Sequence, residues 1–192
     1  MTEKILKIAK KVISTEIEGL QVLSKNINDS FLRSIKILGK TKGKIIVTGV
    51  GKSGIIAKKI ASTLASTGSP AQFIHSTEAS HGDLGMINGK DTILAITFSG
   101  KTIELNDIFM YSKENKIPLI IITGKINSNL KNVSTVCIEI SNLKEACPLE
   151  LAPTTSTTAM IVLGDAIAIS LMTSKKFTKK EFYSYHPGGQ LG

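Results

Sequence analysis

Residues 45–54 read Ile45-Ile46-Val47-Thr48-Gly49-Val50-Gly51-Lys52-Ser53-Gly54, and they change character once, after Thr48. The first four residues are β-branched, short enough and apolar enough for a strand buried on both faces. The glycines at 49, 51 and 54 then permit a tight turn, Ser53 supplies a hydroxyl and Lys52 a mobile cation. From Ile55 to Ser66 the apolar spacing becomes helical. A buried strand, a glycine turn and a helix start form the unit that carries ligands at the carboxyl edge of parallel α/β sheets.

Outward from this unit the pattern repeats. Further continuous apolar runs at Gln72–Ile74, Ile93–Thr97, Leu119–Thr123 and Val136–Ile140 predict strands. Helical spacing between them, at Ile103–Asn115 and Ser128–Val133, predicts alternation of strands and helices. The expected class is α/β, a three-layer doubly wound sandwich with a five-stranded, mainly parallel sheet. Before the first strand, apolar residues from Ile5 to Ile27 and at Phe31, Ile35 and Leu38 predict two amphipathic helices within residues 1–42, packing on the body or on a partner subunit. After the last strand a long helix is expected over Thr154–Thr173 and a short one over Lys179–Tyr185. The 192 residues are expected to form one domain, 42% hydrophobic and 20% charged, with material for one sizeable core.

Two phosphate motifs are excluded around Lys52. A P-loop would need glycine where Ile46 stands, inside the strand. The dinucleotide fingerprint has its glycine spacing but no strand-end acidic residue follows it at the expected distance. The balance of 24 basic and 15 acidic residues, +9 in net, suits anionic ligands. The basic residues are scattered, with few aromatics among them, so no nucleic-acid partner is expected. Ala159–Met172 is the one candidate membrane span; it is short and carries Asp165 in its middle, so a buried helix and no membrane partner are expected. Cys137 and Cys147 form no framework or zinc spacing, and a cytoplasmic location fits. The chain stops at Gly192 after a glycine-rich turn, as if cut from a larger parent.

Two more segments look built for a ligand. Thr97-Phe98-Ser99-Gly100-Lys101-Thr102 is again strand end, glycine turn and helix start, with hydroxyls at Thr97, Ser99 and Thr102. Thr154-Thr155-Ser156-Thr157-Thr158 puts five consecutive hydroxyls at the start of the long helix, more than one cap needs.

Together these segments, His75-x-x-Glu78-Ala79-x-His81-Gly82-Asp83-Leu84-Gly85, the run from Lys144 to Ala159 and His186-Pro187-Gly188-Gly189-x-Leu191-Gly192 resemble the SIS domain of arabinose-5-phosphate isomerases. The resemblance covers nearly the whole chain from Lys44 onward. It implies interconversion of arabinose 5-phosphate and ribulose 5-phosphate through an enediol, feeding Kdo for lipopolysaccharide or capsule, with no cofactor. It also implies a homo-oligomer, expected to be a tetramer with sites between subunits. The tandem CBS pair that follows this domain in many relatives is expected to be missing from the chain.

The family's catalytic positions match Lys52, Glu104, Glu145 and His186. A carboxylate, Glu145 or Glu104, is expected to be the carbon base, raised by burial toward working pH. His186, from a neighbouring subunit, would serve ring opening or oxygen protonation, and Lys52 would steady the enediolate. Substrate contacts are expected from Gly51, Ser53, His75, His81, Thr97, Ser99, Gly100, Thr102, Thr154, Thr155, Ser156 and Thr157. No metal is required; His75 and His81 are expected to form at most an inhibitory zinc site. Phe98, Lys101 and Glu150 depart from the family's usual pattern. Two rivals remain: a non-catalytic sugar-phosphate sensor, and another SIS enzyme such as a heptose-phosphate isomerase.

Overall fold

All five expected strands form, in one parallel sheet of order β2-β1-β3-β4-β5. The structure is a computed structural model that describes residues 2–188. The strands are β1 (Ile45–Gly49), β2 (Ala71–His75), β3 (Thr92–Thr97), β4 (Leu119–Thr123) and β5 (Val136–Glu139). The helices are α1 (Thr2–Lys25), α2 (Asp29–Gly39), α3 (Gly51–Ser66), α4 (Ser76–Ala79), α5 (Asn106–Glu114), α6 (Ser128–Val133), α7 (Thr155–Ser174) and α8 (Lys179–Tyr185). The last four residues of the His186–Gly192 motif lie outside the described residues.

The strand order dictates the layers. Right-handed crossovers put a helix on one face when the chain steps one way across the sheet and on the other face when it steps back. Only the step from β1 to β2 runs toward one edge, so among the crossover helices α3 alone lies on its face. The steps through β3, β4 and β5 run the other way and place α4, α5 and α6 opposite. The remainder of the α3 face is covered from outside the sheet, by α1 and α2 from before β1 and α7 from after β5. The core therefore has two halves. Val47, Leu94, Ile96 and Ile122 meet Ile60, Leu64, Leu163 and Ile167 on one side. On the other, Ile46, Ala95 and Ile121 meet Leu105, Ile108 and Phe109. Each such buried Ile or Leu contributes about 1.5–3 kcal/mol.

The apolar stretch with Asp165 is α7. It is long and apolar enough to cross a membrane, yet Ala159, Leu163, Ile167 and Leu171 are buried in the core. Asp165 sits on its outer side and pairs with Lys59 of α3. Two local differences from the sequence reading matter for the site. The helix expected from Ile103 begins with a 3-10 turn over Ile103–Leu105, so α5 proper starts at Asn106. Between β2 and β3 the chain forms α4 and a 3-10 turn over Asp83–Met86, started where the His75 ring accepts from the Thr77 amide at 3.3 Å.

Candidate active site

The strand order reverses between β1 and β3, where crevices for ligands open in doubly wound sheets. Gly49 pairs with Ile96, so the turns after β1 and β3 leave neighbouring strands side by side. The first turn enters α3 directly. A side chain at Gly54 would put its Cβ 2.8 Å from the Gly49 carbonyl oxygen, so glycine is what lets the helix start rest on the strand end. Among the described residues no side chain caps α3, whose first N–H groups stay free for an anion.

The second turn is fastened on every side. Gly100 takes φ +66°, and a Cβ there would meet the Lys125 carbonyl oxygen at 2.8 Å. Its own carbonyl accepts from Asn127 Nδ2 at 2.9 Å, and the Phe98 carbonyl accepts from the Gly124 amide at 3.0 Å. The hydroxyls of Thr97 and Thr102 bond to each other at 2.8 Å, and the Lys101 amide donates to Ser99 Oγ at 3.2 Å.

These turns and the start of α7 enclose a cleft of about 440 Å³. Its polar lining is Lys52, Ser53, Ser99, Thr102, Glu145, Ser156 and Thr157. Seven residues far apart in sequence and assigned to the site from sequence thus meet in one chain. An apolar wall of Val50, Phe98, Leu151, Pro153 and Met160 faces them, and Glu150 joins the rim. Of the wall and rim residues, the sequence reading singled out Phe98 and Glu150, as departures from a family pattern. Val50, Leu151 and Pro153 lie within quoted motifs but were given no role there, and Met160 carries no signal beyond apolarity. Ser156 Oγ is fully buried beside this cleft and among the described residues has no hydrogen-bond partner of good geometry.

Glu145 corrects the expectation about its acidity. Its Oε2 accepts from the Thr154 amide at 2.8 Å, the Thr154 hydroxyl at 2.9 Å and the Ser156 amide at 3.3 Å. The carboxylate is thereby the cap of α7, at the positive end of a 20-residue helix. Burial pushes its pKa up, as expected. The polar Ser156 side chain nearby, the Thr154 amide and hydroxyl and the Ser156 amide together outweigh burial, and the net shift is downward from 4.5. Glu145 stands ionised, and its partner is a helix terminus rather than a lysine.

The other assigned residues fall elsewhere. Glu104 is exposed on the 3-10 turn after Thr102 and does not line the cleft. His186 ends α8, stacked on Phe182 at 4.1 Å with Nδ1 2.8 Å from the Phe182 carbonyl oxygen, and does not line the cleft either. Thr97 and Gly100 lie behind the second turn, in a separate hollow with Asn106 and Asn127. Gly51, at φ +57°, shapes the start of α3. Thr155 is buried against Gly19 of α1, Thr158 donates to Glu16 of α1 at 2.9 Å, and Thr154 turns to Glu145. The five side chains are thus divided: Ser156 and Thr157 line the cleft, the Thr157 hydroxyl donating to the Thr154 carbonyl at 2.7 Å, Thr155 and Thr158 face α1, and Thr154 bonds to Glu145. His75 caps α4 and His81 is exposed. Among the described residues no three His, Cys, Asp or Glu side chains stand together as a metal-holding group, so His75 and His81 gain no third ligand from Glu78 or Asp83 within one chain.

Known proteins resemble this chain over most or all of its length. The family model for the SIS domain matches residues 37–170. Over 192 residues the chain is 41% identical to "Arabinose 5-phosphate isomerase GutQ" of Salmonella typhimurium, covering all of this chain and 60% of the relative. Over 184 residues it is 46% identical to "Arabinose 5-phosphate isomerase KdsD" of Pseudomonas aeruginosa, covering 96% of this chain and 56% of the relative. The chain therefore spans somewhat more than half the length of the curated relatives it matches. Among solved structures, an E. coli CFT073 protein in complex with arabinose 5-phosphate superposes with a TM-score of 0.93 at 38% identity, covering 97% of this chain and 100% of that one.

Proposed function

Since the chain belongs to the SIS domain family, we propose that it is an aldose-ketose isomerase interconverting D-arabinose 5-phosphate and D-ribulose 5-phosphate, the step that feeds Kdo synthesis in the cytoplasm. The observation that carries this reading is the meeting of Lys52, Ser53, Ser99, Thr102 and Glu145 around one cleft at the switch point.

The phosphate would lie against the hydroxyls of Ser99, Thr102 and Ser53 and the uncapped start of α3. A sugar extending from there toward α7 brings C1 and C2 to Glu145. In the aldose-to-ketose direction the Glu145 carboxylate takes the C2 proton, electrons move into an enediolate, and the proton returns at C1. The O2 proton passes to O1, so carbon and oxygen protons balance and no oxidant or reductant is consumed. The Lys52 ammonium stabilises negative charge on the enediolate oxygen. Glu145 enters this cycle ionised, the form a base needs before it receives a proton.

The assembly is proposed to be a homo-oligomer, a tetramer in the simplest case, with a second copy closing over the cleft. Around the carboxyl edge of the sheet Ile55, Ile103, Leu149 and Leu151 are 73–81% exposed. Ile5, Ile13 and Ile17 add an uncovered apolar face on α1. A copy docked there would bring Glu104 and His186 to a site they do not line within one chain, where His186 would serve ring opening or oxygen protonation.

The test is conversion of arabinose 5-phosphate to ribulose 5-phosphate by the purified protein with chelator present, beside a Glu145→Gln variant. Turnover by the wild type and its loss in the variant are expected. Binding of the sugar phosphate without turnover by the wild type would sink the isomerase reading and leave a sugar-phosphate sensor.

A further inference from the structure

Thr154 occupies the N-cap position of α7, yet its hydroxyl makes no cap bond to the helix. It forms a two-sided bridge instead. Its oxygen accepts from the Ala146 amide at 2.9 Å and its proton goes to Glu145 Oε2 at 2.9 Å, while its own amide donates to the same Oε2 at 2.8 Å. The residue after Glu145 and the Glu145 carboxylate are therefore tied to one hydroxyl, which closes the 145–154 loop on itself. The three hydrogen bonds of good geometry to the carboxylate all fall on Oε2, and the Ser156 side chain adds a looser polar contact to the carboxylate.

Resting on the reading of Glu145 as the carbon base, we propose that Thr154 is its positioning residue: the Thr154 hydroxyl anchors Oε2 so that Oε1 is left to take the substrate proton. The sequence placed Thr154 among the substrate contacts. Its absence from the cleft lining and its bonds to Glu145 assign it to the base instead. An anchored carboxylate keeps one rotamer, and orientation of this kind is worth a large share of a proton-transfer step. Because the same hydroxyl favours the charged carboxylate, its loss raises the pH at which Glu145 titrates.

The charged and titratable groups that share cavities with Glu145 are Lys52 from α3, Lys11 from α1, and Lys144, Cys147 and Glu150 from its own loop. All of them are unchanged in a Thr154 variant, so a shift in that variant reports the hydroxyl. The experiment compares wild type, Thr154→Val and Thr154→Ser in two readouts. The first is the pH profile of kcat and KM for arabinose 5-phosphate. The second is the carboxyl carbon NMR titration of glutamate-labelled protein, with the Glu145 signal identified by its loss in Glu145→Gln. Thr154→Val is expected to raise both the acid limb and the Glu145 titration midpoint by about one pH unit, the size of one charge-assisted hydrogen bond. KM should stay within about twofold, as for an interaction that does not touch substrate. Thr154→Ser should restore both values.

A raised KM with an unmoved titration midpoint in Thr154→Val would return Thr154 to the substrate and overturn the proposal. A midpoint that moves equally in Thr154→Ser would overturn it too, since the hydroxyl is kept there. If the wild type does not isomerise the sugar, the isomerase reading fails separately, and the NMR titration still decides whether Thr154 sets Glu145.

Discussion

Glu104 and Glu145 are the two acids that the sequence left equal as candidates, and the fold gives them opposite surroundings. Glu104 follows the turn after β3 and stands exposed on a 3-10 turn, outside the cleft. Glu145 lies on an irregular loop after β5, half-buried, with three hydrogen bonds on one oxygen at the start of α7. Proximity to a strand end is thus a poor guide to an acid's role. What separates the two is whether another element reaches across to hold the side chain, and α7 does so only for Glu145.

The largest effect that would sharpen this contrast is on turnover. Glu145→Gln keeps the shape and removes the base, and kcat for arabinose 5-phosphate is expected to fall about 10³-fold. A loss under about tenfold in steady-state assays would break the assignment of the carbon base.

Next in size is the backbone that carries Glu104. Gly100→Ala forces a side chain onto φ +66° and against the Lys125 carbonyl, so a cost of about 1–3 kcal/mol is expected. Calorimetry should then show a Tm lower by roughly 3–10 °C. An unchanged Tm would mean that the second turn relaxes freely and does not fix the segment carrying Glu104.

A smaller effect concerns pH. The folded pKa of Glu145 is depressed, so its contribution to stability is present in full above its ordinary value of 4.5 and is lost as pH falls through the folded value. Wild type should therefore exceed Glu145→Gln in Tm at pH 7, and the gap should shrink below pH 4.5. A gap that is constant with pH would remove the ionised cap from the description.

The smallest expected effect completes the comparison. Glu104→Gln in the same scans should move Tm by no more than about 1–2 °C, as for an exposed residue without a partner among the described residues. A larger fall would reveal a structural contact for Glu104, such as one made with a second copy.

Much of this was legible beforehand, for identifiable reasons. The strands were readable because β-branched runs such as Ile45–Thr48, flanked by glycines, are too short for a buried helix. The span and burial of α7 came from an apolar run too long for a strand. The turns at 49–54 and 97–102 were readable as ligand turns because glycine there answers a local backbone demand. The roles within Thr154–Thr158 were not, since five adjacent hydroxyls look alike until neighbours are placed around them. The acidity of Glu145 was misjudged because burial can be guessed from a sequence, whereas two amides and a hydroxyl converging on one oxygen cannot.

By itself, then, the sequence determined the elements, their alternation and the parallel sheet, because hydrophobic period and glycine placement act over a few residues at a time. The tertiary structure decided which of the assigned residues share a cleft, and which way each hydroxyl and carboxylate points. That decision depends on α7 returning across the ends of β1 and β3, a contact between segments far apart in the chain that no local pattern encodes.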